Sequence, residues 1–211
     1  NQTIFYTVVD EASRPYKIMR HRLGQNQTHD QLVYHEADDS FFLTVSKSRS
    51  DAYIYIDADS AVTSEIRFAN ANEPDAAFQV FAPRANGVEY DIEHHTDHFY
   101  IVTNEDALNF QVFRTPIGQL DKKAWELAIP HDEKVTIDGL DAFSNYLIVY
   151  ERAQGLPEIR VLDLTSGESH RIPFDDASYS VWSGSNPEFD ISKLRFGYSS
   201  LRTPDTVYEY D

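Results

Sequence analysis

Side chains able to do chemistry gather at four places along this chain of 211 residues. The run Glu93-His94-His95-Thr96-Asp97-His98 brings imidazoles and carboxylates together in types that suit a metal centre. Adjacent residues of an extended chain point to opposite faces, however, so His94 and His95 would diverge. The run reads as a polar turn between two strands, and no metal or other cofactor is expected. Asp57-Ala58-Asp59-Ser60 resembles the start of a calcium loop, but it lacks the glycine and the distal glutamate such a loop requires. It too reads as a turn. Gly197-Tyr198-Ser199-Ser200-Leu201 puts leucine where a nucleophile elbow needs its final glycine. Ser199 also closes a strand that a hairpin, and no helix, should follow. The fourth set is acidic: Glu89, Asp91 and Glu93 in one apparent strand, Asp138 and Asp141 in another. There is no phosphate-binding glycine loop and no H-E-x-x-H pair. No catalytic residue is expected among these positions.

The elements that must carry these groups repeat. Phe5–Asp10 (FYTVVD), Tyr53–Ala58 (YIYIDA), Phe99–Asn104 (FYIVTN), Tyr146–Glu151 (YLIVYE) and Leu194–Ser199 (LRFGYS) start 48, 46, 47 and 48 residues apart. A second strand follows each copy, at Tyr16, Ile66, Phe110, Ile159 and Val207. Another precedes four of them, at Phe41, Val88, Val135 and Tyr179, and a further strand closes four units, at Leu32, Phe78, Trp125 and Ser169. Four short antiparallel strands per unit, repeated every 40–50 residues, specify an all-β propeller. The units span residues 1–38, 39–84, 85–131, 132–175 and 176–211, within a single partial domain. Three are complete; the first lacks its leading strand and the last its closing one. A propeller hides sheet faces by closing into a ring. If each open terminal face bore about five large apolar side chains, roughly 8–15 kcal/mol of burial would be forgone there. That rivals the stability of a whole domain. The chain is therefore expected to be a piece of a larger protein, one whose open edges favour self-association when isolated; a distorted five-unit ring is the alternative.

Composition agrees. Thirteen Tyr, 13 Phe and 2 Trp suit packed strands. No cysteine is present, which fits a reducing, cytoplasmic setting. No apolar run approaches a membrane span, and the Asn-Gln-Thr sequences at Asn1 and Asn26 read as chance. Eighteen Lys and Arg against 35 Asp and Glu give a net charge of −17. That balance argues against nucleic acid as a partner. It suits steering of cationic ligands, or simply solubility.

The Trp-Asp pair of WD40 repeats and the Gly-Gly doublet of kelch repeats are both missing. Instead the chain resembles, along its whole length, the propeller of the oligopeptidase B branch of the prolyl oligopeptidase family of serine peptidases. The likeness rests on Arg14-Pro15-Tyr16 through Leu23-Gly24, Leu32-Val33-Tyr34-His35-Glu36, Val45 to Ser50, Glu89-Tyr90-Asp91, Phe99 to Asn104 and Glu151 to Leu156. It is carried further by Asn186-Pro187-Glu188-Phe189 and by Tyr198-Ser199-Ser200-Leu201 with Thr203-Pro204 and Thr206-Val207-Tyr208.

The resemblance implies the later blades of a seven-bladed propeller that acts as a size filter over an α/β-hydrolase peptidase domain. The full-length parent would cleave short peptides after Arg or Lys, without a cofactor. Its Ser-Asp-His triad would lie outside these residues, so this chain alone should be inactive. The partners implied are short basic peptides and the peptidase domain of the same polypeptide. A free-standing propeller that binds a protein is the other reading. Innermost strands line a propeller's channel, so Glu89, Asp91, Glu93, Asp138 and Asp141 are candidates to face it, or else are solvated strand ends. Alternation allows only about half of them to point inward.

Overall fold

The computed structural model describes residues 2–211, which form five antiparallel sheets divided between two compact units. In the first unit, Asn1–Asp91, β1 (Thr3–Val9), β2 (Pro15–Arg22) and β3 (Gln31–His35) make a three-stranded sheet. The next sheet contains β4 (Phe42–Lys47), β5 (Tyr53–Asp59), β6 (Ser64–Asn70) and the two-residue β7 (Gln79–Val80). The division between the units falls within β8 (Tyr90–His95). In the second unit, Ile92–Asp211, β8 pairs in turn with β9 (His98–Thr103), β10 (Gln111–Pro116) and β11 (Glu126–Ile129). Then come β12 (Val135–Ala142), β13 (Tyr146–Ala153), β14 (Leu156–Asp163) and β15 (Ser169–Arg171), and finally β16 (Tyr179–Ser183), β17 (Leu194–Ser200) and β18 (Thr206–Tyr210). Every sheet keeps chain order as spatial order, with three, four, four, four and three strands, as the repeat implies.

The recurrent sequence segment is the second strand of each four-stranded unit because that strand is covered on both faces. All of Phe99–Thr103 in β9 is buried. In β13, Leu147 and Val149 enter a core with Val102, Val112 and Leu140, whereas Ile148 enters another with Ile159, Val161, Leu194 and Phe196. A strand between two cores needs apolar residues at successive positions, which hides its period of two. The core of the first unit gathers Ile18, Leu43, Ile56 and Ala58. Fourth strands are shorter than their sequence suggests: the segment at Phe78 gives only Gln79–Val80, and that at Ser169 only Ser169–Arg171. Pro83 and Pro173 follow closely, and proline has no N–H to extend a ladder. Gln154 and Gly155, both at positive φ (52° and 81°), make the two-residue turn from β13 to β14. Such a turn matches the twist of the strands it joins.

Three buried carboxylates are compensated by arginine. Glu36 (5% exposed) and Glu65 (6%) share Arg84 in the first unit. Glu151, 2% exposed, takes Arg160 at 2.5 Å and Arg171 at 3.0 Å in the second. Asn1 and its Asn-Gln-Thr sequence lie outside the described residues. Asn26 of the other such sequence accepts a hydrogen bond from the Thr28 N–H (3.0 Å) and caps the short 3-10 turn Gln27–His29.

The estimate of about five large apolar side chains per terminal face holds for the first sheet and fails for the last. Strand alternation puts Ile4, Tyr6, Val8, Met19 and Leu32 on the face of the first sheet away from Ile18, with Ile4 and Leu32 46% and 55% exposed. The corresponding face of the last sheet carries Ser180, Trp182, Arg195, Gly197, Ser199, Val207 and Glu209. Of these only Trp182 and Val207 are large and apolar. Trp182 lies over Gly197, where a Cβ would come within 2.0 Å of the indole.

Candidate functional site

The acidic residues singled out in the sequence fall into three different settings. Glu89 and Asp91 flank Tyr90 at the start of β8, with Tyr90 and Ile92 buried on the opposite side of the strand. Tyr90 is anchored through its hydroxyl, which donates to the Ala82 carbonyl (2.7 Å) and accepts from the Ile66 N–H (2.8 Å). The Ser64 hydroxyl donates to the Tyr90 carbonyl at 2.7 Å. These bonds hold the strand that presents the two carboxylates.

Facing them electrostatically are two acids that sequence reasoning placed in a turn. Asp57 and Asp59 are the fifth and seventh residues of β5, and the turn itself comes after them. Asp57 accepts from the Thr44 hydroxyl across β4 at 3.0 Å. Burial, then the charges of Asp91 and Asp59, push its carboxyl up to about 7 against that hydrogen bond. Asp59 has an exposed edge, yet shifts upward as well, through enclosure by the surrounding chain first and the Glu89 charge second. Within the first unit, then, the charges of Asp91 and Glu89 reach Asp57 and Asp59 respectively and raise their pKa. The missed signal was alternation: in Tyr53-Ile54-Tyr55-Ile56-Asp57-Ala58-Asp59 the two acids continue the Tyr53, Tyr55 series.

In the second unit Glu93 sits half-buried on β8. Asp138 occupies a bulge between Ile137 and Gly139, where β12 slips one residue against β13. Its carboxylate accepts from Arg152 at 2.8 Å, so its charge is compensated. Asp141 accepts from the Tyr150 hydroxyl at 2.8 Å and from the Ser183 hydroxyl at 3.4 Å. Those contacts give Asp138 and Asp141 structural partners.

The run read as a turn is mostly strand: Glu93, His94 and His95 end β8, His98 opens β9, and only Thr96 and Asp97 form the turn. His94 is buried edge-on against Phe99 and bonds the Thr96 carbonyl, and burial lowers its pKa. His95 reaches the Ser144 carbonyl at 3.0 Å and packs on Phe189, while His98 pairs with Asp97 at 2.7 Å. Among the described residues no three His, Asp or Glu side chains converge as a metal would need. Ser199 ends on β17 within a hairpin to β18, away from any helix.

The family model of the prolyl oligopeptidase N-terminal beta-propeller domain matches residues 1–211. The chain belongs to that family. It is 37% identical to Protease 2 of Moraxella lacunata over 205 residues, which is 97% of this chain and 29% of that protein. It is also 37% identical to Dipeptidyl aminopeptidase BI of Pseudoxanthomonas mexicana over 210 residues, 99% of this chain and 29% of the relative. Oligopeptidase B from Trypanosoma brucei, solved in closed form with covalently bound antipain, superposes with a TM-score of 0.92 at 28% identity. The alignment covers all of this chain and 31% of that one. Oligopeptidase B from Leishmania major gives 0.91 at 27% identity, over 99% of this chain and 31% of that one. The chain therefore spans under a third of the length of the relatives it matches. No helix among its described residues is long and apolar enough to cross a membrane.

Proposed function

We propose that this chain is the non-catalytic propeller segment of a cytoplasmic serine oligopeptidase that cleaves short peptides after Arg or Lys. The observation that carries this reading is the 37% identity to Protease 2 across nearly the whole chain, reinforced by the likeness to an oligopeptidase B that holds antipain. In this reading the propeller admits short peptides and excludes folded proteins. The triad belongs to a peptidase domain elsewhere in the parent polypeptide. The carboxylates of β5 and β8, within a surface of net charge −17, enrich Arg- and Lys-bearing peptides near the entrance. The absence of cysteine fits a reducing compartment.

The equal identity to Dipeptidyl aminopeptidase BI supports a second reading, in which the parent removes dipeptides from free N-termini. Short Arg- and Lys-containing peptides, prepared with free and with acetylated N-termini, separate the two when given to the full-length parent. Cleavage of both forms after the basic residue is the expected result. Dipeptide release confined to free N-termini selects the second reading. Hydrolysis of neither returns the chain to a binding scaffold.

A further inference from the structure

In the second unit the connection from the first strand of a sheet to its second is short, with one exception. Residues 96–97 join β8 to β9 and residues 143–145 join β12 to β13, whereas residues 184–193 join β16 to β17. A loop of that length is ordinarily mobile, because ordering each residue costs backbone entropy. This one is held at its base, along its course and at its tip. At the base, the buried Asn186 side chain stands in for a strand partner. It donates to the Arg195 carbonyl and accepts from the Arg195 N–H, both at 2.8 Å. The Gly184 N–H donates to the same carbonyl at 3.1 Å. Nearer β17, Ile191 packs against the core that contains Phe143, Ile148 and Leu194.

The tip reaches beyond its own sheet. In the β12–β13 turn, the Ser144 N–H donates to the Phe189 carbonyl at 2.9 Å, and the Ser144 hydroxyl donates to the Asp190 carboxylate at 2.8 Å. One sheet further on, His95 at the end of β8 packs its ring against Phe189, with centroids 5.8 Å apart. Its Nε2 donates to the Ser144 carbonyl at 3.0 Å. Ser144 is therefore gripped from both sides, by the loop through its N–H and hydroxyl and by β8 through its carbonyl. The apolar cores between these sheets are non-directional and set no exact position along the strands. Hydrogen bonds do set one, because they fail when distance or angle drifts.

We infer that residues 184–193 form a strap that ties together the first-to-second-strand turns of three successive sheets, and that strap and turns open as one unit. In a propeller the first strands line the channel, here β8, β12 and β16. The strap fixes their spacing at the end where each turns into its second strand. The inference concerns how these sheets are held and is independent of the proposed peptidase activity.

Amide exchange of the full-length parent, read by mass spectrometry, tests it without any turnover. Phe189→Ala/Asp190→Ala removes the ring contact with His95 and the carboxylate that Ser144 bonds. Exchange should then quicken at least about fivefold in 94–98 and in 143–145, on two other sheets, while the β14–β15 turn, 164–168, keeps its wild-type rate. Wild-type rates in 94–98 and 143–145, or an equal acceleration in 164–168, would overturn the inference. Should the variant not fold, exchange of the wild-type parent in rising urea decides. Segments 94–98, 143–145 and 184–193 should lose protection with one common dependence on urea, as a single opening unit does. Three separate dependences would overturn the strap.

Discussion

Asp57 carries the clearest single-residue consequence. Its carboxyl titrates near 7 in the folded protein, far above its unfolded value of 3.8, because burial and neighbouring acids disfavour the anion. The folded state therefore binds the proton more tightly than the unfolded state. The sign follows: this group stabilises the fold below about pH 4 and withdraws that contribution as pH rises to about 7, with a loss on the order of 2–4 kcal/mol. Asp57→Asn should remove this slope and leave the variant more stable than wild type at pH 8. Thermal denaturation at a series of pH values checks this, and superimposable profiles for the two proteins would contradict it. Glu89 and Asp91 were legible as a pair because they alternate with an apolar Tyr90 and Ile92. Asp57 and Asp59 were not, because two acids around an alanine beside serine look the same in a turn as at a strand end. The alternation they share with Tyr53 and Tyr55, and the pairing of Asp57 with Thr44, tell the two apart. The bulge at Asp138 was likewise invisible, since register belongs to a pair of strands and not to either sequence alone.

At the scale of elements, the second strands set the architecture and the arginine-bound carboxylates fasten it. Glu151→Ala would leave Arg160 and Arg171 without their buried counter-ion and should cost about 3–5 kcal/mol, measurable as a lower urea midpoint. In the last sheet Gly197 makes room for the Trp182 indole. Gly197→Ala should displace the indole, red-shift its fluorescence and destabilise the protein by about 1–3 kcal/mol. An unchanged emission spectrum would show that the ring does not depend on the glycine. The strand order of all five sheets could be read from spacing, because each repeat places apolar runs and polar turns at constant intervals. Lengths of the fourth strands could not, because an outer strand needs few buried residues and stops wherever proline or solvent competes for its ladder.

At the scale of the whole molecule, the chain belongs to a peptidase family and spans under a third of the length of its relatives. The two terminal sheet faces differ: the first carries five large apolar side chains, the last only Trp182 and Val207. Any self-association of the isolated chain should therefore use the first sheet. Leu32→Lys should abolish concentration-dependent mass in light scattering where Val207→Lys leaves it unchanged. The central claim is that carboxylates of this segment favour basic peptides while the chemistry happens elsewhere. Its most direct test is the KM of the full-length parent for a dibasic peptide, measured against ionic strength, for wild type and Glu89→Lys/Asp91→Lys. At low salt the variant should show a KM raised several-fold with kcat little altered, and the difference should fade as salt screens the charges. A KM that is the same for both proteins at every salt concentration would contradict the account.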